Sequence, residues 1–250
     1  MTTPNFSKII AFGDGLSDHG RFAPLTMKRY PLSPPFLEGR FTNGPTWVEL
    51  LAQKQGTALT EQNNLAMGGA TTGAYNINES LREQLGLGSE VALTGLANQV
   101  DALLARTPTL SGDALYTVWA AGHDYNSYLN YGQPDVVAYP PVENLRTALS
   151  RLVSAGARTF IVGNLPDIGA TPLYQDSPKQ GQATQVALEF NQALKSMLEL
   201  LATGQPVTFH LLDAWSIFKD VQSRPSILVL SIRWSLICLT IILISQTSII

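Results

Sequence analysis

The residues best suited to chemistry lie in one glycine-rich turn and at three scattered histidines. An apolar run, Ile9-Ile10-Ala11-Phe12, leads into Gly13-Asp14-Gly15-Leu16-Ser17-Asp18, which places a hydroxyl and two carboxylates in one tight turn. A dinucleotide-binding loop needs glycine at its first, third and sixth positions. Gly13 and Gly15 meet the first two, but Asp18 fills the sixth, where its charge would repel a pyrophosphate. A phosphotransferase loop built on a strand-end aspartate needs that residue where Phe12 stands. Neither chemistry fits. The histidines, His19, His123 and His210, are the side chains that titrate near neutrality. With Cys238 as the single cysteine they exclude a Cys/His zinc site and any internal disulfide, so no metal site is expected.

Short β-rich runs alternate with amphipathic stretches along most of the chain. The expected strands are Lys8–Gly13, Asn64–Met67, Leu115–Ala120, Thr159–Gly163 and Val207–Leu212, each apolar enough to be buried on both faces. Between them the 3.6-residue pattern predicts helices over Trp47–Gln55, Leu93–Ala105, Val142–Ala155, Ala183–Leu201 and Trp215–Val221. The alternation predicts an α/β fold on a five-stranded parallel sheet. Such sheets place ligands at the carboxyl ends of their strands, so the loops after each strand carry the functional reading.

The 250 residues suffice for one such domain, with 45% of them apolar. A formal net charge of −3 offers no basic field for a phosphate backbone, so nucleic acid is not an expected partner. Met1–Ser7 does not read as a targeting segment, and the chain as written is expected in the cytoplasm. Composition changes abruptly near Pro225. From Ser226 to Ile250 there is no Gly, Pro, His, Asp or Glu, and Arg233 is the only charge. Eight isoleucines fall there, against six in all the preceding chain. A tail anchor and a buried strand pair are two readings, although the uncharged run from Trp234 is short for a span. The third, preferred here, is a reading frame lost near codon 225, which makes 1–225 the domain and 226–250 an aberrant hydrophobic tail. Membrane contact is then expected only if the tail is genuine.

Ile9-Ile10-Ala11-Phe12-Gly13-Asp14-Gly15-Leu16-Ser17-Asp18 resembles the first block of the GDSL lipase and esterase family, the SGNH hydrolases, which reads Phe-Gly-Asp-Ser-Leu-Ser-Asp. Further blocks follow in order. Gly39-Arg40-Phe41-Thr42-Asn43-Gly44-Pro45-Thr46-Trp47 resembles the stretch before the first helix, and Asn64-Leu65-Ala66-Met67-Gly68-Gly69-Ala70-Thr71 the second block. Trp119-Ala120-Ala121-Gly122-His123-Asp124-Tyr125 resembles the third, Trp-x-Gly-x-Asn-Asp-Tyr. Asn164–Pro172 and Asp213–Asp220 resemble the segments after the last two strands. The resemblance implies a three-layer α/β/α flavodoxin-like fold, its C-terminal part incomplete here, and the hydrolysis of small-molecule or lipid-like esters without a cofactor.

The resemblance also assigns roles, and two of them are empty. The serine nucleophile falls at Gly15, which has no oxygen, and Ser17 matches the family's second serine. The Asp-x-x-His block is absent, because no histidine follows His210 and His210 precedes Asp213. What remains is an oxyanion hole: the backbone N–H of Gly15, the N–H of Gly69, and His123 in place of the third block's asparagine, supported by Asp14, Asp18 and Asp124. Each has a plainer alternative. Asp14 and Asp18 suit the capping of a following helix, Gly13, Gly15, Gly68 and Gly69 suit tight packing, and His123 suits a solvated loop. His19 lacks a nucleophile to activate, and His210 reads as a core or strand-end histidine. The expectation is an ester hydrolase by descent, inactive or strongly impaired. The alternatives are a noncatalytic acyl- or glycan-binding module and a protein tethered by its tail.

Overall fold

A computed structural model describes residues 6–131 and 141–223. Tail 226–250 lies outside the described residues. Four strands form the sheet: β1 (Ile9–Gly13), β2 (Leu115–Trp119), β3 (Thr159–Gly163) and β4 (Thr208–Leu212), in the order β1-β2-β3-β4. All pairings are parallel, with Ile9 opposite Leu115, Leu115 opposite Thr159, and Thr159 opposite Thr208. Asn64–Met67, expected as a strand, runs beside β1 without becoming a regular one. Asn64 bridges Ala11, Leu65 N–H donates to the Ala11 carbonyl at 2.7 Å, and Met67 N–H donates to the Gly13 carbonyl at 3.0 Å. The ladder breaks at Gly13, whose N–H donates to Gln99 Oε1 at 2.9 Å instead of to this segment.

The helices are α1 (Trp47–Lys54), α2 (Leu96–Arg106), α3 (Gly122–Tyr131), α4 (Pro141–Ser154), α5 (Gln180–Ala202) and α6 (Ala214–Ser223). Side chains alternate across each strand, so the sheet buries two faces. Ile10, Phe12, Tyr116, Val118, Phe160 and Val162 pack in one core with Leu96 and Val100 of α2, Leu145 and Leu149 of α4, and Phe190 and Leu194 of α5. Ile9, Ala11, Leu115, Trp119 and Ile161 pack with Trp47, Val48 and Leu51 of α1 and Ile217 and Phe218 of α6. The result is the expected three-layer sandwich. No helix among the described residues is long and apolar enough to cross a membrane.

Two local expectations change. No helix follows β1; the chain turns through Asp14–Asp18 and reaches a short 3-10 turn at Ala23–Thr26. The helix that Asp14 and Asp18 were suited to cap is therefore absent. A helix not expected from the sequence, α3, begins instead at Gly122, directly after β2.

Candidate active site

The turn after β1 is held from several directions. Gly13 has φ +140°, and a Cβ there would lie 2.1 Å from the Trp119 carbonyl oxygen. Gln99 of α2 clamps it, accepting from the Gly13 N–H and donating to its carbonyl, both at 2.9 Å. Asp14 accepts from the Leu16 N–H at 2.9 Å, an Asx turn rather than a helix cap. Ser17 is fully buried, and its Oγ accepts the Trp47 indole N–H at 3.1 Å. Its hydroxyl is thus engaged behind the turn, and Ser17 does not line the cavity described below.

Asp18 joins the first loop to the second. Its carboxylate accepts from the Gly20, Arg21 and Phe22 N–H groups at 2.9, 2.6 and 3.2 Å, and from the Gly68 N–H at 2.8 Å. The Gly68 carbonyl accepts from the side-chain amides of Asn76 and Asn78, each at 3.0 Å. Gly69 follows with φ +85°, and a Cβ there would meet Asn78 Nδ2 at 2.2 Å and Asn76 Oδ1 at 2.5 Å. Only glycine fits that position. At the third loop, Asp124 is fully buried and accepts from the Thr72 N–H at 3.0 Å and the Thr72 hydroxyl at 2.6 Å. Asp124 thereby ties α3 to the segment after Gly69.

These loops enclose a cavity of about 280 Å³. Asp14, Gly15, Gly69 and His123 line it together, with Tyr30, Phe41, Ile77, Trp119, Leu165 and Ile168 forming an apolar wall. Among the described residues, neither the Gly15 nor the Gly69 N–H donates to an acceptor. His123 stands in the first turn of α3, half-buried, and its Nδ1 is buried without a partner. It is not a solvated loop residue. Phe41 packs over the site, so that a Cβ at Gly15 would stand 3.1 Å from its ring and one at Gly68 2.2 Å. Arg40 anchors the neighbouring backbone by a forked contact to Glu49 of α1, with Nη2 to Oε1 at 2.7 Å.

Burial sets the electrostatics. It pushes the Asp14 carboxyl up to about 7, with Asp18 adding repulsion. It pushes Asp124 up to about 7 against the Thr72 donors, and raises Asp18 against its backbone donors. The same desolvation drives His123 down to about 4 and so keeps its ring neutral. At neutral pH the His123 ring is therefore neutral, the Asp14 carboxyl is partly ionised, and among the described residues the cavity lining carries no cation.

Other singled-out residues lie apart from the cavity lining. His210 is exposed on β4, not in the core. His19 is half-buried with an unpartnered Nδ1, and burial lowers its pKa. Asp213 accepts from Asn164 at 2.9 Å and from the Ser216 N–H at 3.2 Å, capping α6. Among the described residues no group of three or more His, Cys, Asp or Glu could hold a metal ion. Sequence reasoning missed Phe41, Thr72, Asn76 and Asn78 as parts of the site. Only Asn76-Ile77-Asn78 left a local signal, two amides at a spacing that can serve one carbonyl.

Parallel strands between two helical layers, with a cavity where loops after successive strands converge, give the three-layer α/β/α fold shared with SGNH esterases. The chain belongs to the GDSL-like lipase/acylhydrolase family, whose model matches residues 9–228. It is 33% identical over 210 residues to a phosphatidylcholine-sterol acyltransferase of Aeromonas hydrophila, an alignment covering 83% of this chain and 59% of that protein. Over 232 residues it is 28% identical to the thermolabile hemolysin of Vibrio parahaemolyticus, covering 90% of this chain and 50% of that one. An acetylesterase of Thermothelomyces thermophilus is 30% identical over 229 residues, 87% and 74% of the two chains. The chain thus spans little more than half the acyltransferase and half the hemolysin. The acetylxylan esterase Axe2 of Geobacillus stearothermophilus shares the fold, with a TM-score of 0.56 at 13% identity over 100% of this chain and 98% of that one.

Proposed function

We propose that this chain descends from a GDSL-type ester hydrolase, keeps the ester-binding cleft, and has lost acyl transfer. In such an enzyme a serine hydroxyl at the first loop attacks the ester carbonyl, a histidine takes its proton, and N–H donors hold the oxyanion. The observation that supports the reading is a cavity lined by glycine where the family's serine falls and by a second glycine, Gly69, at the resembled oxyanion position. Gly15 has no hydroxyl and Ser17 Oγ is bonded to Trp47, while Gly15 and Gly69 line the cavity and, among the described residues, neither N–H has an acceptor. His123 supplies a neutral ring beside them, able to donate one hydrogen bond to a carbonyl oxygen. Without nucleophile and base, binding and the oxyanion hole alone leave about 10³–10⁴-fold catalysis over water, orders of magnitude below an intact triad. The ligand class that fits is a small ester or acyl group: one carbonyl for the N–H pair and an apolar body for Phe41, Ile77 and Ile168.

Binding without turnover is tested by melting the protein with increasing ethyl butyrate or a longer ester. The expected result is a saturable rise in Tm that disappears when Ile77→Trp fills the cavity. A flat Tm across all esters removes the binding half of the proposal.

A further inference from the structure

A strained surface turn borders the cavity. Met27 and Lys28 hold consecutive left-handed backbone, φ 52° and 61°, a conformation that side chains other than glycine avoid. Buried Thr26 fixes it from beneath. Its Oγ1 accepts the Tyr30 N–H at 3.1 Å and lies 3.0 Å from the Ala23 carbonyl, while the Lys28 N–H reaches the Ala23 carbonyl at 2.8 Å. The turn holds apolar side chains out in water: Met27 is 62% exposed, Tyr30 39% and Leu32 65%. Lys28 and Arg29 lie between them, exposed, and neither makes an ion pair among the described residues. Tyr30 links this tip to the cavity wall, packing edge-on against Phe41 at 5.7 Å between ring centroids.

We propose that the turn Met27–Leu32 docks on an anionic lipid surface. Met27, Tyr30 and Leu32 enter the boundary between headgroups and acyl chains, and Lys28 and Arg29 meet the lipid phosphates. Cations interleaved with apolar and aromatic side chains suit that boundary, because each layer of the interface receives its matching group. Three projecting side chains are far less than the ~800 Å² per partner of a stable protein interface, whereas interfacial anchoring needs only a few inserted groups. The chain's formal net charge is −3, so the attraction is local and orients the molecule tip-first, with the cavity beside the lipid. This contact goes beyond the proposed function and holds whether or not the cavity turns over ester. It also differs from the tail as a source of membrane contact.

The test is flotation of the full chain on density gradients with phosphatidylcholine vesicles, with and without 30% phosphatidylserine. Flotation separates bound protein from aggregates, which sink. The turn predicts binding to the anionic vesicles that weakens with salt. Lys28→Glu with Arg29→Glu should lower the partition by roughly thirtyfold or more, from the contribution of each basic residue near such a surface. Met27→Ser with Leu32→Ser should lower it about tenfold. Circular dichroism melts of both variants should match the parent, since these side chains are exposed. Flotation unchanged in both variants would overturn the proposal and assign binding elsewhere, the tail included. So would failure of the parent to float together with a concentration-dependent dimer that Met27→Ser abolishes, which would make a second copy the occupant.

Discussion

At the scale of single residues, the site is defined by what its glycines and buried ionisable groups permit. Gly69→Ala would force a left-handed φ of +85° on a side chain and drive its Cβ into Asn76 and Asn78. The expected cost is about 2–3 kcal/mol, read by urea unfolding. Asp14 and His123 give opposite pH signatures. Asp14 rises from 3.8 to about 7 on folding, so its contribution is full below the unfolded value and is lost as pH climbs to about 7. His123 falls from 6.5 to about 4, so its contribution is full above 6.5 and is lost as pH falls toward 4. Asp14→Asn should therefore gain in Tm relative to the parent as pH goes from 5 to 8. His123→Gln should gain relative to the parent as pH falls from 7 to 5. The missing hydroxyl at position 15 was legible in the sequence, because a residue type is visible there. Phe41 over Gly15 and Gly68 was not, since that contact joins loops from distant parts of the chain.

At the scale of elements, Asp18 is the joint between loops. Asn at that position offers one oxygen where the carboxylate offers two to four backbone N–H groups. Asp18→Asn should cost about 2–4 kcal/mol in urea unfolding by stranding buried donors, and should weaken ester binding by releasing Gly68 and Gly69. Strands β1 to β4 were legible because parallel strands buried on both faces read as continuous apolar runs. Asn64–Met67 reads the same way, but it pairs only with β1, and Gln99, distant in sequence, takes the Gly13 N–H that would continue the ladder. Helix α3 was hidden by its sequence, Gly122-His123-Asp124-Tyr125-Asn126-Ser127, which is polar and carries weak helix formers. Its stability comes from tertiary ties, with Asp124 bonded to Thr72 and Tyr125 packed on Phe190 at 5.9 Å. The expected helix after β1 failed for the converse reason. Asp18 spends its acceptors on a loop and on Gly68, not on a helix start.

At the scale of the whole molecule, the sheet, both cores and the cavity lie within the span that matches the family, residues 9–228. The change of composition near Pro225 falls close to the end of that match, and the proposal that the fold did not shape the tail is tested by removing it. Deleting 226–250 should leave Tm within about 2 °C, less than a 1 kcal/mol loss would shift it, and should raise soluble yield by removing an apolar segment. Differential scanning fluorimetry and the soluble fraction read both. The central claim is a cleft without acyl transfer, and ester turnover tests it most directly. Purified chain and Gly15→Ser would be assayed on p-nitrophenyl acetate and butyrate against the heat-denatured protein. The parent should show no saturable turnover. Gly15→Ser should fold, with Phe41 yielding by a few tenths of an ångström, and should still show none, because no histidine follows His210 to take the serine proton. Saturable hydrolysis by the parent that persists through purification and is abolished by His123→Ala would contradict the claim.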